Sequence, residues 1–290
     1  MPERRRALML VNPNARRGEQ AMEVVPRLTE LGLDVTVEQF ASAEEVSADI
    51  VRCGPNADLV IVCGGDGTVA SAALGVRETG LPMGILPLGT ANDLARTLSL
   101  PLDLGEAAEV IARGRTKRID LGLVNDKAFF NVASVGLSAE LARRLSGAEK
   151  QRWGRLAYAA KALEVLSCAK PFRAMIESNG GKTPVRALQI AVGNGRYYGA
   201  GQVIAADAQI DDGRLDLYSL SPGAVWKLAL LFAQFRGGRH GAWKEVLTAK
   251  CTDFWLRTEA PMPVNTDGDL LTETPAHFTV QPEAVEVFVP

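Results

Sequence analysis

The sequence predicts an α/β domain followed by a β-rich domain, on three observations. Its 290 residues exceed one ordinary domain and suit two. Over roughly the first 120 residues, short apolar runs alternate with helical patterns, as in βαβ units around a parallel sheet. After Arg118 strand-like segments predominate, with Gly, Pro, Asn and Asp between many of them.

Ala7–Val11 reads as the first buried strand. It follows Arg4-Arg5-Arg6, but its apolar run stops at Asn12-Pro13, too soon for a secretory signal core. A helix is expected over Glu19–Leu31 despite Pro26, then a strand over Val35–Glu38 and a helix over Ala43–Arg52. Asp58–Cys63 reads as a buried strand feeding a helix that runs from Gly67 towards Val76. Gly84–Pro87 is a short strand, with helices near Asn92–Leu98 and Leu104–Ala112. Further strands are expected over Ile119–Val124, Ala128–Val135, Phe172–Ser178, Arg186–Val192, Leu215–Leu220 and Asp253–Arg257. Trp153–Ala169 has the one-sided apolar pattern of a long helix. The domain boundary falls near residues 120–126.

Composition excludes several functions. Lys plus Arg number 32 against 34 Asp plus Glu, a net charge of −2 that argues against a strongly basic nucleic-acid binder. With only two histidines, His240 and His277, a multi-histidine metal site is ruled out. Cys53, Cys63, Cys168 and Cys251 form no CxxC pair, which fits reduced thiols in a cytosol. The longest apolar stretch, Ala224–Phe235, is interrupted by Lys227 and Gln234 and does not suit a bilayer span. A cytoplasmic chain without a transmembrane segment is expected.

The sharpest motif is Gly64-Gly65-Asp66-Gly67-Thr68, between a buried strand and a helix. Glycines there let backbone amides approach a ligand, and the helix N-terminus favours phosphate. Thr68 can cap the helix or donate to a phosphate oxygen. A carboxylate at Asp66 would repel phosphate and suits a Mg²⁺ or a substrate hydroxyl better. A tight turn with Asp66 as its cap fits equally well. The segment is neither GxGxxG nor a Walker loop, since it lacks the GKS/T lysine. Pro87-Leu88-Gly89-Thr90-Ala91-Asn92-Asp93-Leu94-Ala95-Arg96 repeats the strand–turn–helix plan. Its Thr90 and Asn92 offer hydrogen bonds at the same sheet edge, where open α/β sheets bind ligands. Asn92 and Asp93 as plain helix caps are the alternative.

Together GGDGT and PLGTANDLAR resemble the diacylglycerol kinase catalytic domain, specifically the YegS-like bacterial lipid kinases. The likeness runs nearly the length of the chain. Asn12-Pro13 falls at the family's nucleotide loop, and Phe130–Gly136 and Val192–Gly199 look like two segments of its second domain. Ile210-Asp211-Asp212-Gly213-Arg214-Leu215-Asp216 resembles the family's DDGxLD turn, and Thr266-Asp267-Gly268-Asp269 its DG-carboxylate signature. The resemblance implies a phosphofructokinase/NAD-kinase-like α/β domain (1–122) and a C-terminal β-sandwich (123–283). A last strand over about 284–290 would return to the first domain. It further implies ATP at Asn12, Gly64–Thr68 and Thr90, with Asn92 beside it, and Asp269 as proton acceptor from a lipid hydroxyl, diacylglycerol or a related lipid. A structural Mg²⁺ would be held by Gln209, Asp212 and Arg214, with only Asp212 using its side chain.

Two positions depart from the family pattern. Asn-Pro-x-Ser-Gly becomes Asn12-Pro13-Asn14-Ala15-Arg16-Arg17-Gly18, and DGE becomes DGD. Asp269 is one methylene shorter than Glu, yet a base must approach to about 3 Å. These departures keep a non-catalytic nucleotide-binding regulator in view. A NAD-kinase or phosphofructokinase-like enzyme shares GGDGT, but PLGTANDLAR and the DGD position favour the lipid branch. The lipid must come from a membrane surface, which suggests a peripheral site at its inner face. For Val225–Arg239, an interfacial helix and a core helix are both compatible with the pattern. A homodimer is left open.

Overall fold

A computed structural model of the chain describes residues 4–11, 18–40, 42, 45–144, 170–195, 197–198, 202–203, 208–221 and 246–290. The Asn12 loop, the helix expected at Trp153–Ala169 and the Val225–Arg239 segment lie outside the described residues.

The first part holds β1 (Arg5–Val11), α1 (Gly18–Glu23), α2 (Val25–Glu30), β2 (Leu33–Gln39), α3 (Val46–Cys53), β3 (Leu59–Gly64), α4 (Asp66–Thr79), β4 (Met83–Pro87), α5 (Asp93–Thr97) and α6 (Leu104–Arg113). The four strands run parallel in the order β2-β1-β3-β4. All six residues of β3 are buried, as a strand apolar on both faces requires inside a parallel sheet. Helix α4 stops where Gly80 turns left-handed at φ 69° and donates its N–H to the Val76 carbonyl at 2.9 Å. Helix α6 starts at Asp103, whose carboxylate accepts from the Glu106 amide at 3.0 Å. The single helix expected over Glu19–Leu31 is broken in two. Pro26 has no N–H for a continuing helix, and it sits instead in the first turn of α2, where none is needed.

The second part holds β5 (Thr116–Val124), β6 (Lys127–Phe129), β7 (Val132–Gly136), α7 (Leu137–Arg144), β8 (Phe172–Ser178), β9 (Gly181–Ala187), β10 (Gln189–Gly193), β11 (Tyr197–Tyr198), β12 (Gln202–Val203), β13 (Leu215–Leu220), β14 (Val246–Cys251), β15 (Asp253–Thr258), β16 (Pro263–Thr266), β17 (Asp269–Glu273) and β18 (Ala276–Phe288). Among the described residues, β14-β13-β10-β7-β16-β17 form an antiparallel sheet that faces β5, β6, β8, β9, β15 and part of β18. Phe129, Phe254, Phe278, Leu256, Leu217 and Val264 fill the space between them, with the Phe254 and Phe278 rings stacked at 4.9 Å. This is the β-sandwich.

Two expected strands prove to be pairs. Ala128–Val135 divides at Phe130-Asn131, and Arg186–Val192 divides at Leu188. In both places the chain steps from one sheet of the sandwich to the other, so a single apolar run supplies strands to both layers. β18 joins the two parts. Its first half pairs with β15, its second half runs parallel to β4, and β5 lies antiparallel along most of it. The ten-stranded sheet is therefore continuous from the α/β layer into the sandwich.

Candidate active site

Two parallel strands, β3 and β4, end side by side with Gly64 opposite Pro87, and the Leu88 amide donates to the Gly64 carbonyl at 2.9 Å. Their turns are therefore forced together. A Cβ on Gly89 would stand 2.6 Å from the Gly65 Cα, and one on Gly65 would stand 3.1 Å from the Gly89 Cα. No side chain fits between them. The Thr68 side chain lies over Gly64 in the same way.

Asp66 opens α4 and ties the turns to each other: its Oδ1 accepts the Leu94 amide in the first turn of α5 at 3.1 Å. Asn92 precedes α5 in a left-handed conformation (φ 50°), and its Nδ2 donates to the Gly89 carbonyl at 3.0 Å. The Asn92 Oδ1 is buried with no hydrogen-bond partner, an unmet acceptor that a bound donor would satisfy. Thr90 is exposed at the tip of the second turn. Gly64, Gly65, Asp66, Gly67, Thr68 and Asn92 are thus brought together, with Thr90 at their edge.

The β16–β17 hairpin reaches this cluster from the sandwich. The Asp269 Oδ2 lies 2.6 Å from where a Cβ on Gly67 would stand, so the carboxylate occupies room that only glycine leaves at the first turn of α4. Asp267, at the hairpin tip with φ 47°, anchors that approach. Its carboxylate accepts the amides of Phe130 (2.7 Å), Asn131 (3.1 Å) and Val132 (2.9 Å), and its own amide donates to the Val132 carbonyl at 3.0 Å. Burial pushes the Asp267 carboxyl up to about 7. The three amides pull the other way, while the neighbouring Asp66 carboxylate adds to the rise. Sequence reasoning places Asp267 only within the DG-carboxylate signature and gives it no role of its own. Its anchoring bonds reach partners more than 130 residues away.

Gln209, Asp212 and Arg214 lie on a separate turn. There the Asp212 Oδ1 accepts the Arg214 amide at 3.1 Å, and Gly213 is left-handed at φ 69°. Asp120 supports the turn from β5: its carboxylate accepts the Gly213 amide at 2.6 Å and the Glu283 amide at 2.8 Å, and its N–H donates to the Ile210 carbonyl at 2.8 Å. Asp120 is 1% exposed, and sequence reasoning missed it. A lone carboxylate inside the apolar run Ile119–Val124 was the available signal. Asn194 closes the seam, donating from Nδ2 to the carbonyls of Asp120 and Phe130, each at 3.1 Å. The main-chain oxygens of Gln209 and Arg214 with the Asp212 carboxylate, the set the family resemblance implies, would suit a hard cation such as Mg²⁺. Among the described residues, no group of three or more His, Cys, Asp or Glu side chains is placed to hold a metal. Cys63, directly below the first turn, is buried, and burial pushes its thiol far up, away from reactive thiolate.

Comparison with known proteins places both halves of this architecture. Residues 6–124 match the diacylglycerol kinase catalytic domain, and residues 131–289 match the YegS C-terminal NAD kinase β-sandwich-like domain. The chain is 32% identical to a diacylglycerol kinase of Mycobacterium tuberculosis over 295 aligned residues, 97% of this chain and 94% of the relative. It is 35% identical to a protein of Yersinia enterocolitica named as a YegS-like lipid kinase, over 80% of this chain and 79% of that one. A solved structure of a candidate diacylglycerol kinase from Bacillus anthracis superposes with a TM-score of 0.84 at 25% identity, covering 100% of this chain and 97% of the other.

Proposed function

The chain belongs to the diacylglycerol kinase family, and from that premise we propose that this lipid kinase uses ATP to phosphorylate the hydroxyl of diacylglycerol or a closely related lipid. The observation that carries the reading is the approach of Asp269 to the first turn of α4, beside the paired glycine turns. Phosphoryl transfer asks a protein chiefly to position two substrates and to offset charge. Amides at the α4 N-terminus and the Gly64–Thr68 turn suit the phosphates. The buried Asn92 Oδ1 suits a donor on the nucleoside.

Asp269 takes the proton of the lipid hydroxyl as that oxygen bonds to the γ-phosphorus. The bond from the γ-phosphorus to its bridging oxygen breaks, and ADP leaves. Asp66 keeps the two turns in register through Leu94, and Asp267 holds the hairpin that presents Asp269. Gln209, Asp212 and Arg214 would hold a structural Mg²⁺ through oxygen alone, and such an ion would fix the conformation of their turn. Because the acceptor is a lipid, the reaction takes place at a membrane surface, with the chain bound peripherally. No helix among the described residues is long and apolar enough to cross a membrane.

The test is transfer from γ-labelled ATP with three acceptors offered in parallel: a total bacterial lipid extract, NAD and a sugar phosphate. Label in a lipid, identified by mass spectrometry, is the expected result. Label in NAD or the sugar phosphate alone, or ATP binding without transfer, overturns the reading.

A further inference from the structure

We infer that Leu270 and Leu271 form an apolar lip that takes the acyl chains of the lipid acceptor as its hydroxyl reaches Asp269. The inference rests on the reading of the chain as a lipid kinase with Asp269 as proton acceptor. Both leucines are exposed, at 38% and 45%. The other large apolar side chains exposed among the described residues, Met22, Leu102, Leu247 and Trp255, are well separated along the chain. Leu270 and Leu271 are adjacent, and Leu270 follows Asp269 directly, about 3.8 Å on along the backbone.

The strand is irregular at this point. Val264 pairs with Thr272 and Asn265 with Leu270, so Leu271 is an extra residue and two leucines oppose one asparagine. A bulge of this kind bends the strand and re-aims its side chains, and bulges gather beside active sites. β17 is also the outer strand of its sheet. Edge strands ordinarily carry charge or proline to prevent unwanted pairing; this one has charge only at its two ends and presents two leucines at its bulge. Its charged residues are Asp269 and Glu273, both acidic. The strand therefore offers an apolar contact with no cation for an anionic headgroup, which commits the lip to acyl chains. With the lipid hydroxyl at Asp269, Leu270 and Leu271 are the nearest apolar residues along this strand to receive its chains.

The test is the double variant Leu270→Gln/Leu271→Gln, with Leu270→Met/Leu271→Met as the control that keeps apolar bulk. Rates are measured with dioleoylglycerol in neutral phosphatidylcholine vesicles and with soluble dihexanoylglycerol. Binding to the same vesicles is measured by co-sedimentation without ATP. For the glutamine variant, KM for dioleoylglycerol rises about tenfold or more and co-sedimentation falls in proportion. Its kcat on dihexanoylglycerol is unchanged, and the methionine variant matches the parent throughout. Unchanged KM and co-sedimentation overturn the lip. An equal loss of kcat on both acceptors also overturns it, since the residues would then be positioning Asp269. A change in oligomeric state by light scattering, with vesicle binding intact, assigns the edge to a second copy and overturns it too. If the parent phosphorylates neither lipid, its acceptor is not a diacylglycerol, the total-extract assay judges the lipid-kinase reading, and co-sedimentation still judges the leucines separately.

Discussion

Gly65 and Gly89 meet because two neighbouring parallel strands end together, whereas Asp269 meets Gly67 from the far end of the chain, carried by a hairpin of another sheet. The first junction is steric and local: two backbones touch, and any side chain between them collides. The second is polar and remote, held by the Asp267 carboxylate on three amides of the β6–β7 connection. Asp267 and Asp269 are two residues apart, yet one is buried as an anchor and the other faces the glycine turns. A rigid cradle in one layer and a tethered arm from the other let a single cleft be assembled from two parts of the chain.

The largest effect is expected on the arm. Asp269→Asn lowers kcat by about 100- to 10,000-fold while nucleotide affinity measured by calorimetry holds, because only proton transfer is lost. The cradle comes next. Gly89→Ala drives a Cβ onto the Gly65 backbone, costing about 1–3 kcal/mol in denaturant unfolding and weakening nucleotide binding with it.

Asp267→Asn puts an amide NH₂ among N–H donors and costs about 1–3 kcal/mol. Here pH sharpens the comparison. The Asp267 carboxyl is raised to about 7, so its contribution to stability is complete below the ordinary carboxylate range and is lost as pH rises through 7. The stability gap between parent and variant accordingly narrows from about pH 4 to pH 7; a gap that widens contradicts the burial of that carboxyl. The smallest effect lies away from the cleft. Arg6 holds the exposed Asp58 carboxyl down to about 2, chiefly through their side-chain hydrogen bonds. Arg6→Gln removes a contribution present above about pH 4 and lost as pH falls towards 2. Solvent screening keeps it under about 1 kcal/mol in thermal melts.

The same contrast separates what is legible in the sequence from what is not. The α/β layer is local, and its strand–turn–helix junctions can be read from the apolar runs before Gly64 and Gly89. The sandwich is not local. Phe130 and Leu188 sit inside apolar runs that look like single strands, and only the crossing between sheets divides them. The β16–β17 hairpin carries Asp269, yet nothing in its own alternation marks its pairing with β7. Pro26 is legible as a helix breaker, and the helix expected over Glu19–Leu31 divides just before it. Asp120 shows as a charge in an apolar strand, but its partners come from residues 194, 210, 213 and 283, a relation that one dimension does not display.

Arm and cradle meet at Gly67. A double-mutant cycle in kcat between Gly67→Ala and Asp269→Asn tests this most directly. Alanine favours a helix over glycine, so loss of helix propensity does not explain a fall in rate. If the added methyl acts by displacing the Asp269 carboxylate, Gly67→Ala lowers kcat by about a hundredfold in the parent and leaves the Asp269→Asn background nearly unchanged. An equal fall in both backgrounds would contradict the claim, because the methyl would then act on something other than Asp269.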